Sequence, residues 1–131
     1  MSHYRTTKWL ATVVFVVGLL SGCYKDKTLL QDTGDEITRT VTFTGDIIPL
    51  LNKSCNTSGC HSTGGIAPDL SAANAHISLT TGNYVNTATP QNSELYLWMA
   101  GKKSSPMPLS GVNKDYNALI LAWIKQGAQN N

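Results

Sequence analysis

The strongest constraint on this chain of 131 residues is a pair of cysteines separated by four residues, with a histidine directly after the second. The segment is Cys55-Asn56-Thr57-Ser58-Gly59-Cys60-His61. The residues between the cysteines favour a turn, and glycine accepts positive φ values there. Two thiols and an imidazole are therefore expected on one short loop, where they can form a disulfide, bind a metal or attach a prosthetic group.

The order of these residues resembles the Cys-x-x-Cys-His signature of covalent haem attachment, with a gap between the thiols that is wider by two residues. In that chemistry two thiols bond two vinyl groups on one edge of a rigid ring, and the adjacent imidazole binds the iron. The histidine keeps its place after the second thiol, and the additional residues can bulge outward. We therefore predict one haem c bound covalently through Cys55 and Cys60, with His61 as an iron ligand.

Two other interpretations of this segment stay open on the sequence alone. Cys55 and Cys60 can form a small structural disulfide, which suits an exported protein. The same cysteines with His61 can instead bind zinc, which needs a fourth ligand. The candidates for that fourth ligand are His76 and Asp69.

Residues 1–22 have the features of an export signal. Arg5 and Lys8 precede an apolar run of twelve residues, Trp9 to Leu20, which is shorter than a permanent membrane span requires. The run ends in Leu20-Ser21-Gly22-Cys23, which resembles the bacterial lipobox. We predict a lipoprotein signal peptide at 1–22 and lipidation of Cys23, which anchors the exported protein to a bacterial membrane, on the periplasmic side or at the outer membrane. The alternative is an ordinary cleaved signal, after which Cys23 is a free thiol.

Loss of the predicted signal changes both the charge and the cysteine count. Arg5 and Lys8 leave with it, so the remaining chain has eight basic and eight acidic residues. A formally neutral domain gives no reason to expect nucleic acid as a partner. Lipidation of Cys23 leaves one cysteine pair in the domain. Residues 23–41 are mostly polar and are predicted to be a flexible tether, followed by a domain at 42–131.

Hydrophobic periodicity predicts an all-α domain. The predicted helices are Asp46 to about Lys53, Ser71 to about Ile77, Gln91 to about Gly101, and Asn113 or Lys114 to Gln126. Ser71 is a candidate cap, and Gly127 ends the last helix, whose apolar residues fall on one stripe. Arg39 to Phe43 is predicted to be a short strand or an extended entry to the domain. The proline-bracketed Met107 lies in a loop before the last helix.

This order of helix, attachment motif, loop, proline-bracketed methionine and closing amphipathic helix resembles class I cytochromes c. More narrowly, residues 42–128 are similar to the small lipid-anchored cytochromes c of Bacteroidetes-type bacteria. The segments that carry the similarity are Gly45-Asp46-Ile47-Ile48-Pro49-Leu50-Leu51, Gly59-Cys60-His61, Ala67-Pro68-Asp69-Leu70, Ser93-Glu94-Leu95-Tyr96, Met107-Pro108 and Trp123-Ile124-Lys125-Gln126-Gly127-Ala128.

The resemblance implies a fold of four to five short helices around one covalent haem. It implies thioethers at Cys55 and Cys60, His61 as the proximal iron ligand and Met107 as the distal ligand. Two other candidates for the distal position have simpler explanations, because Met99 beside Trp98 is expected to fill the core and His76 to be a solvated polar residue.

Iron with both axial positions filled passes single electrons and has no open site for a substrate. The expected function is therefore that of an electron carrier rather than an enzyme, with no catalytic residue. The expected protein is a monomer that exchanges electrons with redox proteins, whose identity the sequence does not indicate. A non-redox surface lipoprotein with a disulfide or zinc site, and a haem-based sensor or enzyme with an open distal site, remain as alternatives.

Overall fold

The computed structural model describes residues 32–131, and the regular structure in that range is helical throughout. Its α-helices are α1 (Ile48–Ser54), α2 (Ala75–Thr81), α3 (Glu94–Met99) and α4 (Lys114–Lys125). A π-helical turn, Phe43–Ile47, leads into α1, and a 3₁₀ turn, Pro90–Asn92, precedes α3. The prediction of an all-α domain is confirmed, and the entry segment that precedes the π-helical turn is extended rather than a strand.

The predicted and observed boundaries differ most at α2, which begins at Ala75 instead of Ser71. The backbone N–H of Ser71 donates to the Asp69 carboxylate at 2.9 Å, and the Asn74 side chain donates to the other oxygen of that carboxylate. These local bonds favour turns over a helical start at residues 71–74. Ser71 is therefore not the cap of this helix, and the prediction of its role was wrong.

Helix α4 lies at the centre of the hydrophobic core. The Asn113 side chain caps it by accepting hydrogen bonds from the backbone N–H groups of Asp115 and Tyr116, and Gly127 follows its end with a φ of 95°. The Trp123 ring is fully buried, lies 5.1 Å from the Phe43 ring between centroids, and donates its Nε1–H to the Gln129 carbonyl at 2.9 Å. The π-helical turn that leads into α1 is thereby packed against the closing helix.

The residues just before the domain also contact it. The Asn117 side chain in α4 donates to the backbone carbonyl of Asp32 at 2.7 Å, and the N–H of Gly34 donates to the carbonyl of Lys114 at 2.8 Å. Val41 is buried, and its N–H donates to the Gln126 side chain. The packed part of the chain thus includes residues 32–41, the second half of the predicted tether.

The predicted signal peptide, the lipidation site Cys23 and the first half of the tether lie outside the described residues. Within residues 32–131, none of the helices has the length and apolar character needed to cross a bilayer.

Candidate haem attachment site

The first cysteine of the motif is fixed by the end of α1. The N–H of Cys55 donates to the Leu51 carbonyl at 2.8 Å and so completes the last turn of the helix. Leu50 and Leu51 are buried, which holds this short helix against the core. Cys55 itself is 9% exposed and belongs to the same core. The position of its sulfur is therefore determined both by packing in the core and by the backbone hydrogen bond at the end of α1.

The residues between the cysteines form a tight turn that brings the chain back to Cys55. The N–H of Thr57 donates to the Cys55 carbonyl at 2.9 Å, and the N–H of Cys60 donates to the Thr57 carbonyl at 2.9 Å. The N–H of His61 then donates to the same Cys55 carbonyl at 3.3 Å. The wider spacing is thus accommodated by the turn, and the structure places Cys55, Cys60 and His61 on one turn whose backbone closes at the Cys55 carbonyl.

Two backbone carbonyls orient the imidazole of His61. Its Nδ1 lies 3.0 Å from the carbonyl oxygen of Ile66 and 3.2 Å from that of Pro68. A carbonyl oxygen can only accept a hydrogen bond, so Nδ1 must carry the proton that it donates. In the neutral ring the lone pair is then on Nε2, and this hydrogen bond fixes the tautomer that a metal requires.

The backbone of His61 is also tied to the core. Its carbonyl accepts the N–H of Leu70 at 2.7 Å, and Leu70 is 3% exposed. The two carbonyls that face Nδ1 were not among the predicted site residues, because a backbone carbonyl is present at every position and leaves no mark in the sequence. The signal in the sequence is the segment Ala67-Pro68-Asp69-Leu70, which contains one of these carbonyls, that of Pro68.

A close backbone approach holds the loop after His61 in shape. The N–H of Ile66 donates to the Cys60 carbonyl at 2.7 Å, and the N–H of Gly65 donates to the Ser62 carbonyl at 2.8 Å. A methyl group on Gly65 would collide with the Cys60 carbonyl oxygen and would lie 3.0 Å from that of Ser62. Glycine is therefore needed at position 65 to bring the Ile66 carbonyl to the imidazole.

The two motif cysteines are free thiols in this structure, with Cys55 buried and Cys60 partly exposed. Burial raises the pKa of Cys55 to about 11, and the neighbouring Cys60 contributes in the same direction. Cys55 is therefore a protonated thiol at neutral pH. The thiolate, which is the nucleophilic and metal-binding form, is disfavoured in this environment, and this applies equally to a disulfide, a zinc site and a thioether.

The other residues considered for a zinc site are engaged elsewhere. Asp69 accepts the Ser71 N–H and the Asn74 side chain, and these hydrogen bonds lower its pKa to about 2. The Nε2 of His76 donates to the Ala128 carbonyl at 2.9 Å. Among the residues that the structure describes, no group of three or more His, Cys, Asp or Glu side chains is arranged to hold a metal ion.

The structure also corrects the prediction that His76 is a solvated polar residue. Its ring packs edge-on against Phe43, with centroids 5.1 Å apart and planes at 84°, and lies 6.2 Å from Trp123. The later start of α2 places His76 in the first turn of the helix, where it faces the core aromatic rings. His76 therefore has a packing role at the junction of α2 and the C-terminal segment.

The predicted distal ligand lies in a different part of the fold. Met107 follows α3, and its N–H donates to the Trp98 carbonyl near the end of that helix at 3.1 Å. Its side chain is half-buried, whereas Met99 is 1% exposed and belongs to the core, as predicted. The loop around Met107 and the loop after His61 both contain exposed apolar side chains. These are Ile66, Leu109 and Val112, which are 65%, 75% and 44% exposed.

A cleft of about 460 Å³ lies away from this motif, beside the C-terminal end of α4. Its lining residues are Thr38, Thr40, Val41, Trp123, Gln126, Gln129 and Asn131. None of the predicted site residues lines this cleft, so its contents would not contact the motif.

Comparison of the chain with protein-family models, with curated proteins and with solved structures gave no match.

Proposed function

We propose that this protein is a membrane-anchored periplasmic c-type cytochrome that carries single electrons through one covalently attached haem. The observation that carries the proposal is the orientation of His61. Its Nδ1–H is directed at the carbonyls of Ile66 and Pro68, which leaves Nε2 as the metal-binding nitrogen on the same loop as two free thiols. Neither a disulfide loop nor a solvated histidine needs this arrangement.

Exposed apolar side chains on two loops are compatible with the same proposal. Ile66 lies on the loop that orients His61, while Leu109 and Val112 follow Met107. A flat apolar ring bound to both loops would cover these side chains.

The donor set fits a haem of the c type. Cys55 and Cys60 would hold it by thioethers, His61 would bind the iron through Nε2, and Met107 would bind it through the thioether sulfur. The bound group supplies reversible one-electron transfer at iron, with the ferrous state favoured by the thioether ligand. Pro106 and Pro108 restrict the backbone on either side of Met107, so ordering its side chain costs little entropy.

The proposal includes the remaining features expected from the sequence. Cys23 would carry the lipid, the domain would have the class I cytochrome c arrangement, and the monomer would exchange electrons with partner proteins. No residue is assigned a catalytic role, because the proposed iron has no free axial position.

The test is expression with export in a host that attaches haem to exported apocytochromes. Wild-type protein is expected to retain haem on a denaturing gel, and the peptide that contains Cys55 and Cys60 to carry the haem mass. The double substitution of both cysteines by serine should remove the haem. Ser58→Ala, at an exposed position of the same turn, is the matched control and should retain it.

An exported wild-type protein without haem would refute the proposal. A loss of two hydrogens from the cysteine peptide would then indicate a structural disulfide, and stoichiometric zinc in the folded protein would indicate a metal site. Either result would support the alternative of a non-redox surface lipoprotein.

A further inference from the structure

The side chain of Asp32 joins two groups that follow it by more than sixty positions in the sequence. Tyr96 in α3 donates its hydroxyl to Asp32 Oδ2 at 2.9 Å, and the Lys102 ammonium lies 2.9 Å from the same oxygen. Burial opposes ionisation of this carboxyl, but the hydrogen bonds from Lys102 and Tyr96 outweigh that effect and lower its pKa. Asp32 is therefore an ionised acceptor held in place by two donors.

The partners of Asp32 are themselves held by burial and by further contacts. Tyr96 is fully buried, and the Lys102 nitrogen lies 5.6 Å from the centre of its ring, within range of a cation–π interaction. The backbone carbonyl of Asp32 accepts a hydrogen bond from Asn117 in α4, which is also fully buried. Asp32 thus connects the N-terminal segment to α3, to α4 and to the loop that begins after α3.

That loop is the one that carries Met107. Its start is set by the N–H of Lys102, which donates to the Leu97 carbonyl at 2.9 Å. Within the loop, the backbone of Met107 is held by its N–H, which donates to the Trp98 carbonyl. Two ion pairs hold its side chains, one between Lys102 and Asp32 and one between Lys103 and Glu94, each at 2.9 Å. The carboxylate is less exposed in the first pair, at 17% for Asp32 against 44% for Glu94, whereas the lysine is more exposed, at 44% for Lys102 against 33% for Lys103. The Asp32 carboxylate is therefore the less screened by water.

We propose that Asp32 is a positioning residue for Met107. By holding Lys102 against Tyr96, it fixes the start of the loop that presents the Met107 thioether. The inference rests on the proposed function, in which Met107 is the distal iron ligand. It adds that the segment following the proposed lipid anchor acts on the iron site through a defined contact.

The test compares Asp32→Ala with Glu94→Ala in the exported, haem-loaded protein. Hydrogen exchange of the Met107 amide is expected to be about tenfold faster in Asp32→Ala, because one charge-assisted contact of the loop is lost. Exchange in Glu94→Ala should change by less than about twofold, because the Glu94 carboxylate is more exposed than that of Asp32. In oxidised Asp32→Ala, added imidazole should abolish the sulfur-to-iron charge-transfer band at a lower concentration than in the wild type. Asp32→Glu, which keeps the charge, should restore most of both properties.

A purely structural role of Asp32 would give a different result. Exchange in Asp32→Ala would then rise equally at Met107 and at a core amide of α4 such as Ile120, with no change in the imidazole titration, and the proposal would be overturned. If the exported protein carries no haem, the proposed function fails. The exchange comparison on that protein still decides whether Asp32 holds the loop.

Discussion

Substitution of Gly65 by alanine is expected to lower the free energy of unfolding by about 1–2 kcal/mol and to disturb His61. The backbone at Gly65 does not have a positive φ, so alanine in free space would stabilise the protein by about 0.4–1 kcal/mol through the unfolded chain. The methyl group instead collides with the Cys60 carbonyl, and relief of that collision separates Ile66 from Cys60. The hydrogen bonds lost are from Ile66 N–H to Cys60 and from His61 to Ile66, each worth about 1 kcal/mol.

Equilibrium unfolding in guanidinium chloride measures this change, and the midpoint potential of the proposed haem would report on the imidazole. Gly59→Ala is the control, because Gly59 has a φ of 79° with nothing within 4 Å of the added methyl group. It should cost about 1 kcal/mol for backbone strain and leave the potential unchanged. A Gly65→Ala variant that is as stable as the wild type, or more so, would refute the arrangement of the loop described above.

Three further substitutions test other parts of the molecule. If Met107 is the proposed iron ligand, Met107→Ala should lower the midpoint potential in a spectroelectrochemical titration, because a thioether favours ferrous iron, whereas Met99→Leu in the core should leave it unchanged. Hydrogen bonds from Arg39 lower the pKa of Asp46 to about 2 from an ordinary value of 3.8. The resulting stabilisation, on the order of 1 kcal/mol after solvent screening, is present above pH 3.8 and is lost as the pH falls through about 2. The free energy of unfolding of the wild type should therefore fall towards that of Asp46→Asn as the pH drops from 3.8 to about 2. A difference in unfolding free energy that stays constant over this range would contradict the prediction. Trp123→Phe should lower the free energy of unfolding by about 2 kcal/mol in chemical denaturation, because the side chain loses volume and its hydrogen bond to the Gln129 carbonyl. A change below about 0.5 kcal/mol would count against this packing.

Helix α4 could be predicted from the sequence because its local signals agree with its packing. Asn113 caps its start, Gly127 follows its end, and the apolar stripe between them is the buried face. At α2 the local signals conflicted. Ser71 had the features of a cap, but its N–H is bonded to Asp69, so the helix starts later and His76 turns towards the core. A competition between two local hydrogen-bonding patterns is decided by geometry that the sequence does not contain.

In the candidate site, likewise, one part could be predicted from the sequence and another could not. The cysteine and histidine types and their order were visible in the sequence, since side-chain chemistry defines them. The groups that orient them were not visible, because Ile66 and Pro68 contribute only backbone oxygens. Asp32 was assigned to a flexible tether on composition, whereas its partner Tyr96 lies far away in the sequence and meets it only in the folded chain.

If Cys23 carries the proposed lipid, the docking of Asp32 limits how far the domain can move from the membrane. Cys23 precedes Asp32 by nine positions, and a fully extended chain of that length covers at most about 30 Å. A lipid on Cys23 would therefore hold the side of the protein formed by α3 and α4 within about one bilayer thickness of the headgroups. Electron partners would have to reach the protein at that height, either as neighbours in the same membrane or as soluble proteins that approach its surface.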